Sequence, residues 1–239
     1  MIKFFRRIRQ RLVSENKFSR YLLYAIGEIA LVMIGILLAL QVNNWNEFQK
    51  LKIQELNLIK QLLEDAKADS VFFESRITFQ KSRDTIFNNF LKLHKQIAVD
   101  SISKLAVTDD PFFFRLAYQS NLINNNPKAY DLISNNNIKN KLRTYNSKYD
   151  YVVHSIELSN RIGEEYGNPI KIKYHEEVKN LPNEPSFGDY SLILQSKEII
   201  ATMALFKEYG INYLIQIQKF LIVNQELIIL LEKYIKENQ

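Results

Sequence analysis

The chain has 239 residues, among them 15 Phe, 13 Tyr, 6 Gly, 5 Pro and no Cys. The absence of Cys excludes disulfides, thiolate metal sites and cysteine nucleophiles, and so few Gly and Pro argue against the frequent turns of a sandwich or barrel. The net charge of +6 is carried by residues 1–20, where Lys3, Arg6, Arg7, Arg9, Arg11, Lys17 and Arg20 face Glu15 alone, leaving 25 basic and 25 acidic residues elsewhere. A domain with no surplus of positive charge is not built to bind nucleic acid.

Residues 1–20 read as a basic cytoplasmic tail. Ile2, Phe5, Ile8 and Leu12 fall on one helical face with the arginines mostly elsewhere, which suits a segment lying on anionic lipid. Lys3, Arg6, Arg7, Arg9 and Arg11 are the candidate headgroup contacts; a pure orientation signal is the plainer role. Residues 21–43 read as a transmembrane helix. Leu22 to Val42 is a run of 21 residues with one charge, Glu28, and at about 1.5 Å per residue it spans roughly the 30 Å of a hydrocarbon core. Tyr21 and Tyr24 at one end and Trp45 at the other suit the two interfaces, and the stretch from Asn43 to Gln49 contains no Lys or Arg. The positive-inside rule therefore puts the N-terminus in the cytoplasm and residues 44–239 outside. The run is too long for the apolar part of a cleaved signal peptide, and Leu38 to Gln41 offers no small-x-small site.

The string YLLYAIGEIALVMIGILLALQVNNWNE, preceded by MIKFFRRIRQ and ENKFSRY, resembles the opening of an uncharacterised family of Bacteroidota inner-membrane proteins. Gly27-Glu28-Ile29 inside the helix and Gln41 to Glu47 after it carry the likeness. A later stretch, AYDLISNNNIKNKLRTYNSKYDY, is similar too, with Asn135 where the family usually has Gly. The resemblance implies a single-pass topology and supplies no chemistry.

Beyond the membrane, residues from Glu47 to about Val99 lack Gly and Pro and repeat apolar residues at helical spacing: Leu56, Ile59, Leu63, Ala66, Phe73, Ile77, Phe87, Leu91. This predicts one long helix, with Thr78 to Thr85 the place for a break. Residues 100–110 read as a loop, Pro111 to about Leu122 as a short helix, and Asn126-Pro127 as the start of another that ends near Ser134. A long helix is expected from about Ile138 to Gly167. Alternation through Ile170, Ile172 and Tyr174 permits one short strand, in a segment that holds Pro169, Pro182 and Pro185. The most regular stripe comes last: Met203, Phe206, Gly210, Tyr213, Ile217, Phe220, Asn224, Leu227, Leu231 and Tyr234, widened by Leu214, Leu221, Ile228 and Ile235. Three apolar positions per heptad suggest a bundle helix, and its Lys and Glu residues argue against a second span. The fold class expected is all-α: an N-terminal transmembrane helix followed by an extracytoplasmic up-and-down helical bundle.

Few features point to chemistry. A carboxylate inside the bilayer costs a few kcal/mol and marks a functional candidate, so Glu28, with Gly27, Gly35 and Ala39 offering small surfaces, is the candidate contact with a partner helix; snorkelling to the headgroups is the plain alternative. Asn crowds residues 121–146, which suits caps and turns better than an amide-lined pocket. His94, His154 and His175 match no ligand spacing, and the isolated Gly residues form no phosphate loop. No catalytic, metal or cofactor residues are assigned, and an enzyme is not expected. The expected role is a membrane-anchored interaction or scaffolding protein that meets membrane lipids and either a protein partner in the envelope or its own copies. The alternative is a ligand-sensing domain acting through a membrane signalling partner.

Overall fold

A computed structural model describes residues 18–95, 115–180 and 195–238 of the chain. The basic tail through Lys17, including Lys3, Arg6, Arg7, Arg9 and Arg11, lies outside the described residues, as do residues 100–110, Pro111, Pro182 and Pro185 and the side chains of Tyr21 and Tyr24. Among the described residues every regular element is helical. The long helices are α1 (Phe18–His94), α4 (Asn136–Ile162) and α7 (Lys197–Asn238); α2 (Asn121–Asn125), α3 (Ala129–Leu132), α5 (Asn168–Lys173) and α6 (His175–Lys179) are short.

Helix α1 runs 77 residues unbroken, through Thr78–Thr85 as well. From Ile36 to its end it contains neither Gly nor Pro, so nothing in the backbone interrupts the ladder. Lys92 and His94 in its last turn face the negative end of the helix dipole. Helix α4 starts where the Asn135 side chain accepts hydrogen bonds from the backbone N–H groups of Asn137 and Ile138, the bond pattern that makes Asn a favoured cap. Its end widens into a π-helical turn, Gly163–Gly167, that runs directly into α5. Pro169 explains the widening. Lacking an N–H and crowding the preceding turn, it sits in the first turn of α5, and Asn168 bonds back five residues to the Gly163 carbonyl. The same proline overrules the strand expected through Ile170, Ile172 and Tyr174: residues 168–173 are helical, with Ile170 buried and Ile172 exposed.

The helix expected from Pro111 to Leu122 is also corrected. Residues 115–120 are not helical, because side chains rather than a helical ladder satisfy their backbone groups: Asn160 bonds both the N–H and the C=O of Leu116, and the Tyr149 hydroxyl bonds the N–H of Ser120 and the C=O of Tyr118.

By contacts the chain divides into two units, Met1–Gln54 and Glu55–Gln239. In the first, the side chains of α1 from Leu22 onward are nearly all exposed, large apolar ones included. The second is a bundle whose core follows heptad seams. On α1 the seam takes Ile59, Leu62, Ala66, Phe73, Phe87 and Phe90; on α4 Ile138, Leu142, Tyr145, Tyr149, Val152 and Ile156; on α7 Ile199, Met203, Phe206, Tyr213, Ile217, Phe220, Leu227 and Leu231, every one of these named residues buried. Spacings of three and four that average 3.5 match knobs-into-holes packing with left-handed supercoiling. Directions follow from the contacts. Asp69 meets Tyr145 and Phe73 meets Tyr149, so α4 runs along α1; Lys67 pairs with Glu232 at 3.0 Å and Phe87 stacks on Phe206, so α7 runs back. Residues 115–135 return down the bundle between the two like-directed helices. Phe220 sits at the centre, its ring 5.0 Å from those of both Phe73 and Tyr145. Burying such a ring stabilises by about 2–3 kcal/mol, with about 1 kcal/mol more for each well-placed aromatic pair.

Among the described residues, two helical stretches are long and apolar enough to cross a membrane, Ala25–His94 and Lys197–Asn238. They differ in burial: the apolar window of the first is 0% buried and that of the second 39% buried.

Candidate functional site

The exposed part of α1 is two-sided. Glu28, Val32, Gly35, Ala39, Val42 and Asn46 follow spacings of four and three, and at about 100° per residue they stay on one face for five turns. Every member is small, β-branched or polar. The opposite face carries Leu22, Ile26, Met33, Leu37 and Leu40 together with Ala30, Gln41 and Asn44, all of them exposed. Val32 and Val42 are 55% and 65% exposed, and a β-carbon added at Gly35 would meet nothing within 4 Å. Glu28 is half-buried and lines a shallow groove with Ala25, Ile29, Val32 and Met33. Glu28, Gly35 and Ala39 therefore share a face. Gly27 does not: it lies about 100° round the helix from Glu28, on the flank that carries Leu38 and Trp45.

In the second unit, three carboxylates of α1 hold the returning segment. Asp69, fully buried, accepts hydrogen bonds from the hydroxyls of Tyr118, Tyr145 and Ser120 and from the N–H of Asn121. Asp65 accepts from Asn125 at 3.1 Å and Asn126 at 2.8 Å. Glu55 accepts from the Ser134 N–H at 2.7 Å and from its hydroxyl. All of these donors are neutral. Burial and the adjoining Asp69 carboxylate push the Tyr145 and Tyr118 hydroxyls well above the usual tyrosine range, and burial raises Tyr149. Such groups stay protonated and donate at neutral pH, so the cluster fastens the returning segment to α1 and α4. Sequence reasoning missed it, although Glu55 and Asp69 stand on the 59-62-66-73 seam where an apolar residue is due.

The Asn-rich stretch does local work of the same kind. Asn135 caps α4, Asn126 also bonds the Leu122 carbonyl, Asn124 bonds Gln119, and Asn146 bonds the Tyr130 hydroxyl. His154 and Glu157 are 4.0 Å apart and both exposed; His175 is exposed at the start of α6. Among the described residues no group of three or more His, Cys, Asp or Glu is placed to hold a metal ion. A shallow groove between α1 and α7, lined by Ser70, Glu74, Leu221, Ile222, Gln225 and Glu226, is open to solvent.

Comparison with curated proteins and with solved structures yields no match. Residues 28–110, starting at the Glu28 of the two-sided helix, match the model of a family of unknown function, DUF6090, so the likeness to an uncharacterised family holds over this stretch.

Proposed function

We propose that the chain is a single-pass protein of the inner membrane, its N-terminus cytoplasmic and its bundle periplasmic, acting as an interaction or scaffolding component. The observation that carries this reading is the exposed seam from Glu28 to Asn46, which holds the one charge of the apolar run and no Leu, Ile or Met. Lipid solvates Leu and Ile on every side equally well, so a helix serving only as a tether has no need to keep one face free of large apolar side chains for five turns. A helix that packs against another does, because small residues admit close approach and a polar group gains a partner away from hydrocarbon. The basic residues before Leu22, and the lack of Lys and Arg from Asn43 to Gln49, support the orientation. Helix α7, although apolar enough to span, uses its stripe inside the bundle. The outer unit carries polar fastenings whose donors and acceptors serve one another, as suits a rigid presenting surface.

Two measurements test this. A phosphatase fused after Gln239 should be active and a green fluorescent protein there dark; a fluorescent, phosphatase-negative C-terminus overturns the orientation. Photo-crosslinkers at Val32 and Ala39 should capture a protein partner within the membrane, and capture should fall several-fold with Glu28→Gln or Gly35→Leu. Lipid as the sole adduct, unchanged by either substitution, overturns the partner contact.

A further inference from the structure

The outward side of α7 repeats the logic of its inward side. Ile211, Ile215, Gln218, Ile222, Gln225 and Ile229 follow spacings of four and three, and all are exposed. The four isoleucines are 46%, 41%, 62% and 57% exposed. Glu208 and Glu232 bound this seam, and no charged residue falls on it between them. A helix face left to water normally carries Lys and Glu at such positions. This one is uncharged for 18 residues, about 27 Å of helix.

We infer that the outward face of α7 is a self-association seam that packs against the same face of a second copy of this chain. Area and polarity both favour that occupant. The four isoleucines expose on the order of 400 Å² between them, near the largest apolar patch that a lone protein usually tolerates. The isoleucines alone supply about half of the roughly 800 Å² per partner of a standard interface. An apolar partner would bury Gln218 and Gln225 unsatisfied, at about 1–3 kcal/mol each. A second copy does not. Paired in parallel register, each glutamine meets its own counterpart and each isoleucine an isoleucine. Paired antiparallel about Ile222, Ile215 meets Ile229, and Gln218 lies one residue, about 1.5 Å, out of step with Gln225 and within reach of its amide. Either way amide faces amide, as polar core residues do in coiled coils, and β-branched residues fill the alternate layers.

The chain has no Cys, so single-cysteine variants report without background. In full-length protein in native membranes, Ile222→Cys should form a disulfide-linked dimer under mild oxidation, several-fold more than Tyr151→Cys, an exposed control on α4. Ile215→Cys cross-linking to itself assigns the parallel register; cross-linking only when mixed with Ile229→Cys assigns the antiparallel one. Adding Ile222→Lys to the cross-linking Ile215→Cys variant, or to the Ile215→Cys and Ile229→Cys mixture, should cut the dimer at least five-fold with the circular dichroism unchanged. Cross-linking at the seam no stronger than at Tyr151→Cys, or indifferent to Ile222→Lys, overturns the inference. These cross-links report on α7 alone and the fusion result on the anchor alone, so either idea can fail without the other.

Discussion

The Asp69 carboxylate and the Tyr145 hydroxyl hydrogen-bond inside the core, joining α1 to α4 where neither group has significant contact with water. A carboxylate there is tolerable only because four donors converge on it, and each of them depends on it in turn.

Removing the acceptor should therefore cost more than removing one donor. Asp69→Ala leaves Tyr118, Tyr145, Ser120 and Asn121 without their shared partner and opens a cavity, a loss of about 3–5 kcal/mol. Tyr145→Phe, which leaves Asp69 three donors, should cost about 1–2 kcal/mol. Denaturant titration of the full chain in detergent, followed by circular dichroism, measures both. Equal losses for the two variants would mean that the cluster does not act as a unit.

The same cluster sets an alkaline limit. Burial, with the Asp69 charge beside them, raises Tyr118, Tyr145 and Tyr149, and burial raises Tyr213. In the unfolded chain these hydroxyls ionise near their ordinary value of 10.0. A raised folded value means that above that pH the folded state holds more protons than the unfolded one, and stability falls as pH rises. Below it the two states hold the same protons and the stabilisation is complete. Tyrosinate absorbance from these residues should thus emerge together with the loss of helix above about pH 10. Titration of all thirteen tyrosines at the ordinary value, with the helix intact, would contradict the burial of these four.

Much of the bundle was readable because periodicity survives without knowledge of partners. Each position of the α7 stripe from Met203 to Leu231 is buried, including Gly210 and Asn224, and on α1 Ile59, Leu63, Ala66, Phe73 and Phe87 are buried with Leu56, Ile77 and Leu91 at the edge. What periodicity cannot give is a segment held by side chains. Residues 115–135 follow Asp69, Asp65 and Glu55, whose role depends on donors 50 to 80 residues away. The one local clue was a carboxylate standing on an apolar seam. On the exposed part of α1, Glu28, Gly35 and Ala39 could be grouped by counting turns, and the same count separates Gly27.

Gly210 marks a close approach of α7 to α1. A β-carbon there would lie 2.2 Å from the Gln80 Nε2 and 3.2 Å from an Asp84 oxygen, and Gln80 is buried while donating to Asp84 at 2.8 Å. Gly210→Leu should cost about 2–3 kcal/mol by forcing the helices apart. Gly210→Ala should cost less, since Ala gains about 1 kcal/mol of helix propensity that offsets the displacement of Gln80. Thermal melts of the two variants should fall in that order. A Leu variant as stable as the parent would rule out this spacing.

Asn224 offers the converse test, a buried polar group whose removal should not hurt. Its amide nitrogen donates to the Ala66 carbonyl at 2.7 Å and to the Ser70 hydroxyl at 2.8 Å, but its Oδ1 is buried with no hydrogen-bond partner among the described residues. An unsatisfied buried acceptor costs about 1–3 kcal/mol. The bonds it makes do not depend on it alone, because Ser70 stands four residues after Ala66 on the same helix and can turn its hydroxyl to that carbonyl. Asn224→Leu, of similar size and facing Leu227 and Phe220 on its own seam, should therefore leave stability unchanged or raise it by about 1 kcal/mol. What the amide supplies is alignment: on a seam of apolar side chains it bonds only where Ala66 and Ser70 stand opposite, so a slip of α7 along α1 by one turn would strand it. The Leu variant should accordingly melt as high as the parent but with a broader transition and poorer dispersion in methyl NMR spectra. A drop of more than about 2 kcal/mol would instead make Asn224 a net stabilising contact.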